Sequence, residues 1–162
     1  MKLSVILPIY NGEKTLKNTL QSLVNQTFKE FELVVCIDGS KDTSLEIVKS
    51  FSVNFSKLKI LINEENLGLG PTMNKLVANA TGQLIAVAEQ DDFYYEYRLE
   101  EQVSIFDKMP QIGMVSGIAD FYNGEKINFR FPGILVSEKQ YPKGKEMFLL
   151  NYKIKLKWLT VV

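Results

Sequence analysis

The chain has 162 residues, 46% of them hydrophobic and 23% charged, with 19 basic against 19 acidic side chains. That length and balance fit one globular domain, and a formal net charge of zero supplies no global field toward nucleic acid or anionic lipid. The sequence has no histidine, which removes His-based catalytic triads and His-ligated zinc, and its single cysteine excludes an internal disulfide.

The first predicted element is "LSVILPIY", Leu3 to Tyr10, an almost continuous apolar run of the kind a strand buried on both faces shows. "NGEK" breaks it, and Leu16, Leu20, Leu23 and Val24 follow at helical spacing. "FELVVCI", Phe31 to Ile37, reads as a second buried strand, with Cys36 as a packing residue. After the turn cluster "DGSKDTS", Asp42 or Thr43 is placed to cap a helix whose inner face carries Leu45, Val48 and Phe51. A third strand covers Leu58 to Asn63. Pro71 then suits the first turn of a helix with Met73, Leu76, Val77 and Ala80 inward and Gly82 at its end. "QLIAVA" is a fourth strand. Leu99, Val103 and Phe106 mark a fourth helix stopped by Pro110, and "IGMVSG", Ile112 to Gly117, reads as a fifth strand.

Beyond Gly117 the pattern loosens. "DFYNGEKINFRFPG" reads as a hairpin turning at Asn123-Gly124, "SEKQYPKGKEMFLLN" as holding a short helix, and "KIKLKWLTVV" as an amphipathic strand. No segment approaches the ~20 apolar residues of a membrane span, and "MKLSVILPIYNG" is a poor leader, so the chain reads as cytoplasmic. Strand alternating with helix argues for an α/β fold with a mostly parallel sheet flanked by helices.

Ligands of such sheets bind outside the carboxyl ends of the strands. Three of those ends carry unusual residues: Pro8-Ile9-Tyr10-Asn11, Asp38-Gly39-Ser40, and Glu89-Gln90-Asp91-Asp92. Tyr10 offers a flat ring and Asp38 an acceptor for a base N–H. The acidic cluster offers a seat for Mg²⁺ or Mn²⁺, which take one or two carboxylates together with phosphate oxygens. Carboxylates this close repel one another, so a cation or water is expected among them. Taken singly, each signal has a plain structural reading: Asp91 and Asp92 as helix caps, Asp38-Gly39 as a turn, Asn66 and Gly68 as loop formers. A dinucleotide oxidoreductase fits poorly, because "PIYNGEK" stands where G-x-G-x-x-G would.

"SVILPIYNGEKTLKNTLQSLVNQTF", "FELVVCIDGSKDTSLEIV", "NEENLGLGPTMNKLVANATGQLIAVAEQDD" and "RLEEQ" together resemble the nucleotide-binding half of family 2 glycosyltransferases, over roughly residues 1–120. The resemblance implies a GT-A fold, Rossmann-like and apparently truncated at the C-terminus. Residues 1–120 would form the nucleotide-sugar-binding half and 121–162 the start of an acceptor-side portion. It implies a nucleotide-sugar donor, UDP- or dTDP-linked, with inverting, metal-dependent transfer to a saccharide or lipid-linked saccharide in surface polysaccharide synthesis.

By resemblance, Pro8, Tyr10 and Asp38 contact the base of the donor, and Asn11 belongs to the same nucleotide-sugar-binding set. Asn66 and Gly68 lie in the loop beside the nucleotide. Glu89, Gln90 and Asp91 occupy the D-x-D place, with Asp91 as the direct metal ligand. Three positions depart from the family pattern: Ile37 replaces the first of two aspartates, Glu89 the first Asp of D-x-D, and Met73 an Arg. The catalytic base is expected beyond Val162, since Asp120, Glu125, Glu138 and Glu146 have no motif around them. The alternative is a donor-binding fragment without turnover. Lys153, Lys155 and Lys157 read as a solvated strand face, with peripheral contact to anionic lipid headgroups as the alternative; Trp158 reads as core or as a membrane-interface anchor, and self-association through uncovered apolar surface is expected.

Overall fold

A computed structural model describes residues 1–117, 119–122 and 127–131. Four strands, β1 (Leu3–Ile9), β2 (Phe31–Asp38), β3 (Leu58–Asn63) and β4 (Leu84–Val87), form one sheet in the order β3-β2-β1-β4, with every neighbour pair parallel. Helices α1 (Leu16–Val24), α2 (Ser44–Ser50), α3 (Leu69–Asn79) and α4 (Arg98–Lys108) alternate with them. The chain builds β1, β2 and β3 outward, then returns to place β4 on the other side of β1. The switch point of the sheet therefore lies between β1 and β4.

β1 and β2 are the centre, and every residue of both is buried. Because side chains alternate across a strand, the two faces are distinct. Leu3, Val5, Leu7, Ile9, Leu33, Val35 and Ile37 join Leu16, Leu20 and Leu23 of α1, Val48 of α2, and Leu99 and Val103 of α4 in the larger core. Ile6, Val34 and Cys36 meet Leu76 of α3 on the opposite face. Each fully buried Leu, Ile or Val contributes roughly 1.5–3 kcal/mol, so the larger layer is the main source of stability. Cys36 is a buried free thiol in the smaller one.

Several expectations change in detail. Ile112 to Gly117 is not a strand; the next strand is β5 (Ala119–Tyr122), paired antiparallel with β6 (Ile127–Phe131) in a separate sheet. Met114 is exposed there, and Gly113 and Gly117 weaken the strand preference of the run. Val77 is also exposed, because buried Thr72 and Leu76 centre the inward face of α3 and Val77 falls to its side.

Gly82 does not end α3 in a left-handed cap. Its N–H donates to Ser4 Oγ at 2.8 Å, and a Cβ there would lie 2.6 Å from the Leu3 carbonyl carbon. Close passage of the chain past β1 is what requires glycine. Buried Glu32 completes this junction by accepting from Ser4 Oγ at 2.6 Å and from Thr81 N at 2.6 Å. Burial alone would raise the Glu32 pKa, but those donors hold the carboxyl below its ordinary range.

The chain divides into two compact units with the boundary between Ser116 and Gly117, and of the second the antiparallel pair β5–β6 is described. The expected turn at Asn123-Gly124, the short helix, the terminal strand with Lys153, Lys155, Lys157 and Trp158, and the carboxylates Glu125, Glu138 and Glu146 lie outside the described residues. Among the described residues no helix is long and apolar enough to cross a membrane.

Candidate functional site

The carboxyl ends of β2, β1 and β4 stand side by side and open on a cleft of about 380 Å³. It is lined by Pro8, Ile9 and Tyr10 from β1, Asp38 from β2, and Glu89, Gln90 and Asp91 after β4. Asn66, Gly68, Leu69 and Thr72 complete it from the loop and first turn of α3. Eight of the nine residues expected from the sequence thus meet in one place; Asn11 is the ninth. Asn11 takes a left-handed backbone, which Asn tolerates, with φ 49°. Its Oδ1 accepts from Lys41 N at 3.0 Å while its own N–H donates to Ser40 Oγ at 3.0 Å, so it binds the neighbouring turn and does not line the cleft.

That turn is clamped from both sides. Asp42 accepts from Glu13 N at 2.9 Å and from Ser44 N at 3.0 Å, and Glu13 Oε2 accepts from Thr43 Oγ1 at 3.0 Å. Asp42 therefore caps α2 with its carboxylate, while Thr43 holds the N-cap backbone position and spends its hydroxyl on Glu13. Tyr10, 47% exposed, stands at the edge of this cross-linked block with its ring free to meet a planar ligand.

Asp38 is 4% exposed and heavily engaged. Its Oδ1 accepts from Asn63 Nδ2 at 2.7 Å and Leu67 N at 3.0 Å, and its Oδ2 accepts from Gly68 N at 3.0 Å. Burial pushes the pKa up, and these donors more than offset it, leaving the group below its ordinary value. Asp38 thus folds the 64–68 loop over the rim as well as facing the cleft. Gly39 makes that fold possible: its φ is +65°, and a Cβ would collide with the backbone at Glu65 and Asn66.

The acidic end of β4 is built differently. Gln90 brackets Tyr10, accepting from its N–H at 2.8 Å and donating to its carbonyl at 3.1 Å. Thr19 Oγ1 lies 2.8 Å from the Gln90 carbonyl and 2.9 Å from that of Asp92. Ser22 Oγ accepts from Tyr94 N at 3.1 Å, and Gln26 binds Tyr95 O at 2.8 Å and Leu99 N at 3.0 Å. Thr19, Ser22 and Gln26 share one face of α1 and its C-terminal extension, and all three are buried. A reading of apolar spacing passes over them; their signal is that buried polar groups on a core-facing helix must have partners.

Asp91 and Asp92 are not helix caps, since α4 begins at Arg98 with Tyr97 at its N-cap. Glu89 and Asp92 are half-buried, and both titrate above their ordinary values. For Glu89 the cause is burial, then the charges of Asp92 and Asp91; for Asp92 it is burial, then Asp91, opposed by Arg98. Arg98 is the positive partner in this region. It donates to Val87 O at 2.9 Å, and its guanidinium lies 4.4 Å from the centroid of the buried Tyr94 ring. The Tyr94 hydroxyl in turn accepts from Glu89 N at 2.6 Å. No ion pair joins Arg98 to Asp92: Asp92 Oδ2 and Arg98 Nε and Nη1 are buried without a hydrogen-bond partner.

Met73 does not bring a charge; it packs beside Ile6, Val34, Cys36 and Leu76. Ile37 is likewise core. Among the described residues no three carboxylate or thiol groups converge as a closed metal-binding set. The donors do fit a cation that keeps much of its coordination for ligand and water. Glu89 and Asp91 line the cleft, and the mutual repulsion of Glu89, Asp91 and Asp92 is relieved by positive charge beside them.

A parallel sheet flanked by helices, whose switch-point rim carries an aromatic ring, an engaged aspartate and an acidic cluster, defines an α/β domain of GT-A type. Comparison with known proteins sharpens this. The model of the glycosyl transferase family 2 matches residues 4–158, and the chain belongs to that family. It is 34% identical over 128 residues to WfgD of Escherichia coli, named as a UDP-Glc:alpha-D-GlcNAc-diphosphoundecaprenol beta-1,3-glucosyltransferase, covering 79% of this chain and 49% of that protein. It is 30% identical over 142 residues to the glycosyltransferase GlyA of Streptococcus pneumoniae, covering 88% of this chain and 20% of the relative. Staphylococcus aureus TarS 1-349, solved in complex with UDP-GlcNAc, superposes with a TM-score of 0.68 at 31% identity, over 78% of this chain and 37% of that one. A mannosyltransferase from Pyrobaculum calidifontis, solved with GDP-Man and Mn²⁺, shares the fold at 19% identity and a TM-score of 0.61. The chain thus spans less than half the length of each of these two relatives.

Proposed function

We propose that these residues form the donor-binding half of an inverting, divalent-metal-dependent glycosyltransferase that uses a nucleoside diphosphate sugar, UDP-linked. The observation that carries the reading is the order of groups along one rim: Asp38 on β2, Pro8 and Tyr10 on β1, Glu89 and Asp91 after β4. A base meets Tyr10 and Asp38, with the Asn66–Gly68 loop beside the nucleotide. The diphosphate lies toward Asp91, the direct ligand of Mn²⁺ or Mg²⁺, with Glu89 and Gln90 beside it. When bound, the cation offsets charge on the departing diphosphate. The TarS complexes with UDP and UDP-GlcNAc support the choice of nucleotide.

In the transfer, the acceptor oxygen attacks the anomeric carbon, the bond from that carbon to the diphosphate breaks, and the acceptor proton passes to a base outside the described residues. A saccharide or lipid-linked saccharide acceptor belongs to the same proposal, supported by the name of the Escherichia coli relative, and so do surface polysaccharide synthesis and work at the cytoplasmic face of a membrane. Exposed Ile62, Val77 and Ile85 support self-association of the isolated chain.

The test is calorimetric titration of UDP with and without Mn²⁺, repeated on Asp91→Ala. Binding that depends on Mn²⁺ and loses that dependence in the variant is the expected result. Equal binding with and without the metal, or an unaffected variant, rejects the site.

A further inference from the structure

A line of polar side chains runs from α3 to the cleft. Lys75 Nζ donates to Asn63 Oδ1 at 2.6 Å and to Ile62 O at 2.9 Å. Asn63 Nδ2 donates to Asp38 Oδ1 at 2.7 Å and to Thr72 Oγ1 at 3.2 Å. Asp38 then receives the Leu67 and Gly68 amides. Asn63, Thr72 and Asp38 are all buried. The Asn63 amide therefore sits between a cation and an anion. Turned over, it would present NH₂ to the ammonium and C=O to the carboxylate, exchanging two charge-assisted hydrogen bonds for two repulsions. Lys75 and Asp38 together fix which way the amide faces, and the amide joins the Leu67 and Gly68 N–H groups in holding Asp38.

The acceptor count on Asp38 then matters. Oδ1 already receives two hydrogen bonds and Oδ2 one, and the Thr72 hydroxyl also interacts with this carboxyl, so the acceptor site left for a ligand in the cleft is one that the rotatable Thr72 hydroxyl shares. A carboxylate held this way accepts and does not donate. The imide N–H of uracil satisfies it. Cytosine has an unprotonated ring nitrogen at the same position, and two acceptors would face each other.

We propose that Lys75, acting through Asn63, is a positioning residue for base selection: it fixes Asp38 as an acceptor for an imide N–H, so that the cleft takes uridine over cytidine diphosphates. The inference rests on the donor reading above and adds to it residues that the sequence patterns did not single out. Lys75 is half-buried on a helix, so its replacement leaves the core intact.

The experiment titrates UDP and CDP, with Mn²⁺ present, into the 162-residue chain and its Lys75→Met and Lys75→Arg variants, and follows hydrogen exchange of the Leu67 and Gly68 amides. The wild type should prefer UDP. Lys75→Met should lose roughly tenfold more affinity for UDP than for CDP, the equivalent of one charge-assisted hydrogen bond. The two amides should exchange faster, and Lys75→Arg should restore the preference. A Lys75→Met variant that keeps the wild-type UDP-to-CDP ratio overturns the inference, whether or not exchange quickens, because Lys75 is then structural only. A wild type that binds neither nucleotide instead rejects the donor reading itself, and this proposal with it.

Discussion

The carboxylates at the ends of β2 and β4 face the same cleft but rest on opposite electrostatics. Asp38 is the more buried, yet it is held below the ordinary carboxylate range, because Asn63, Leu67 and Gly68 all donate to it. Glu89 and Asp92 are pushed above that range by burial and by neighbouring carboxylates, Asp92 and Asp91 for Glu89 and Asp91 for Asp92, and Arg98 reaches the Val87 carbonyl without forming an ion pair to them. The β2 end carries its own compensation and works as a fixed acceptor. The β4 end is under electrostatic tension that a cation relieves. The proposed donor, with a base at one end and a diphosphate at the other, calls for such a fixed acceptor beside a charge-strained seat.

The comparison is broken most severely at Gly39. Gly39→Ala combines a positive φ with collision against the Glu65 and Asn66 backbone, so the rim loop must move. We expect a loss of about 3 kcal/mol or more in urea unfolding, together with loss of UDP binding. A variant as stable as wild type would mean that the loop is not pinned there.

Asp38→Asn is next. Its NH₂ cannot accept, so at least one buried donor loses its partner, at about 2 kcal/mol. The sign of the pH dependence follows from the lowered pKa. The wild-type advantage should be complete above the unfolded Asp value of about 3.9 and vanish as pH falls through the lower folded value. Urea midpoints of both proteins across that range check it; a pH-independent difference would contradict the ionised, hydrogen-bonded state.

Glu89→Gln tests the opposite sign with the smallest effect. A raised carboxylate pKa means that the native state loses stability as pH rises from the unfolded to the folded pKa. At neutral pH the variant should therefore be slightly more stable, by about 1 kcal/mol or less, while Mn²⁺-dependent UDP affinity falls. Thermal melts and calorimetry read the two together. A less stable variant with unchanged metal dependence would erase the contrast between the two strand ends.

Much of the fold follows from pattern. β1, β2, β3, β4 and the four helices lie where apolar runs and helical spacing put them, and eight of nine expected residues line the cleft. The misses have common causes. "IGMVSG" has strand composition, but pairing is a property of neighbours, and the sheet ends at β4. Asn11 stands beside Tyr10 in sequence, yet its left-handed backbone directs it to Lys41. Thr19, Ser22 and Gln26 break no helical rule and so send no local signal, although they hold the acidic segment in place.

By itself the sequence determined the alternation of elements, the rim on which chemistry sits and the residue types available there, because periodicity and strand-end composition are local properties. Tertiary structure decided which polar groups face one another across tens of residues. It decided that Lys75 reaches Asp38 through Asn63, that Arg98 serves the β4 end, and that donors lower the Asp38 pKa while burial and neighbouring charge raise that of Glu89. The physical reason is that the state of a buried charge depends on donors brought to it by folding, and no local pattern encodes their distance.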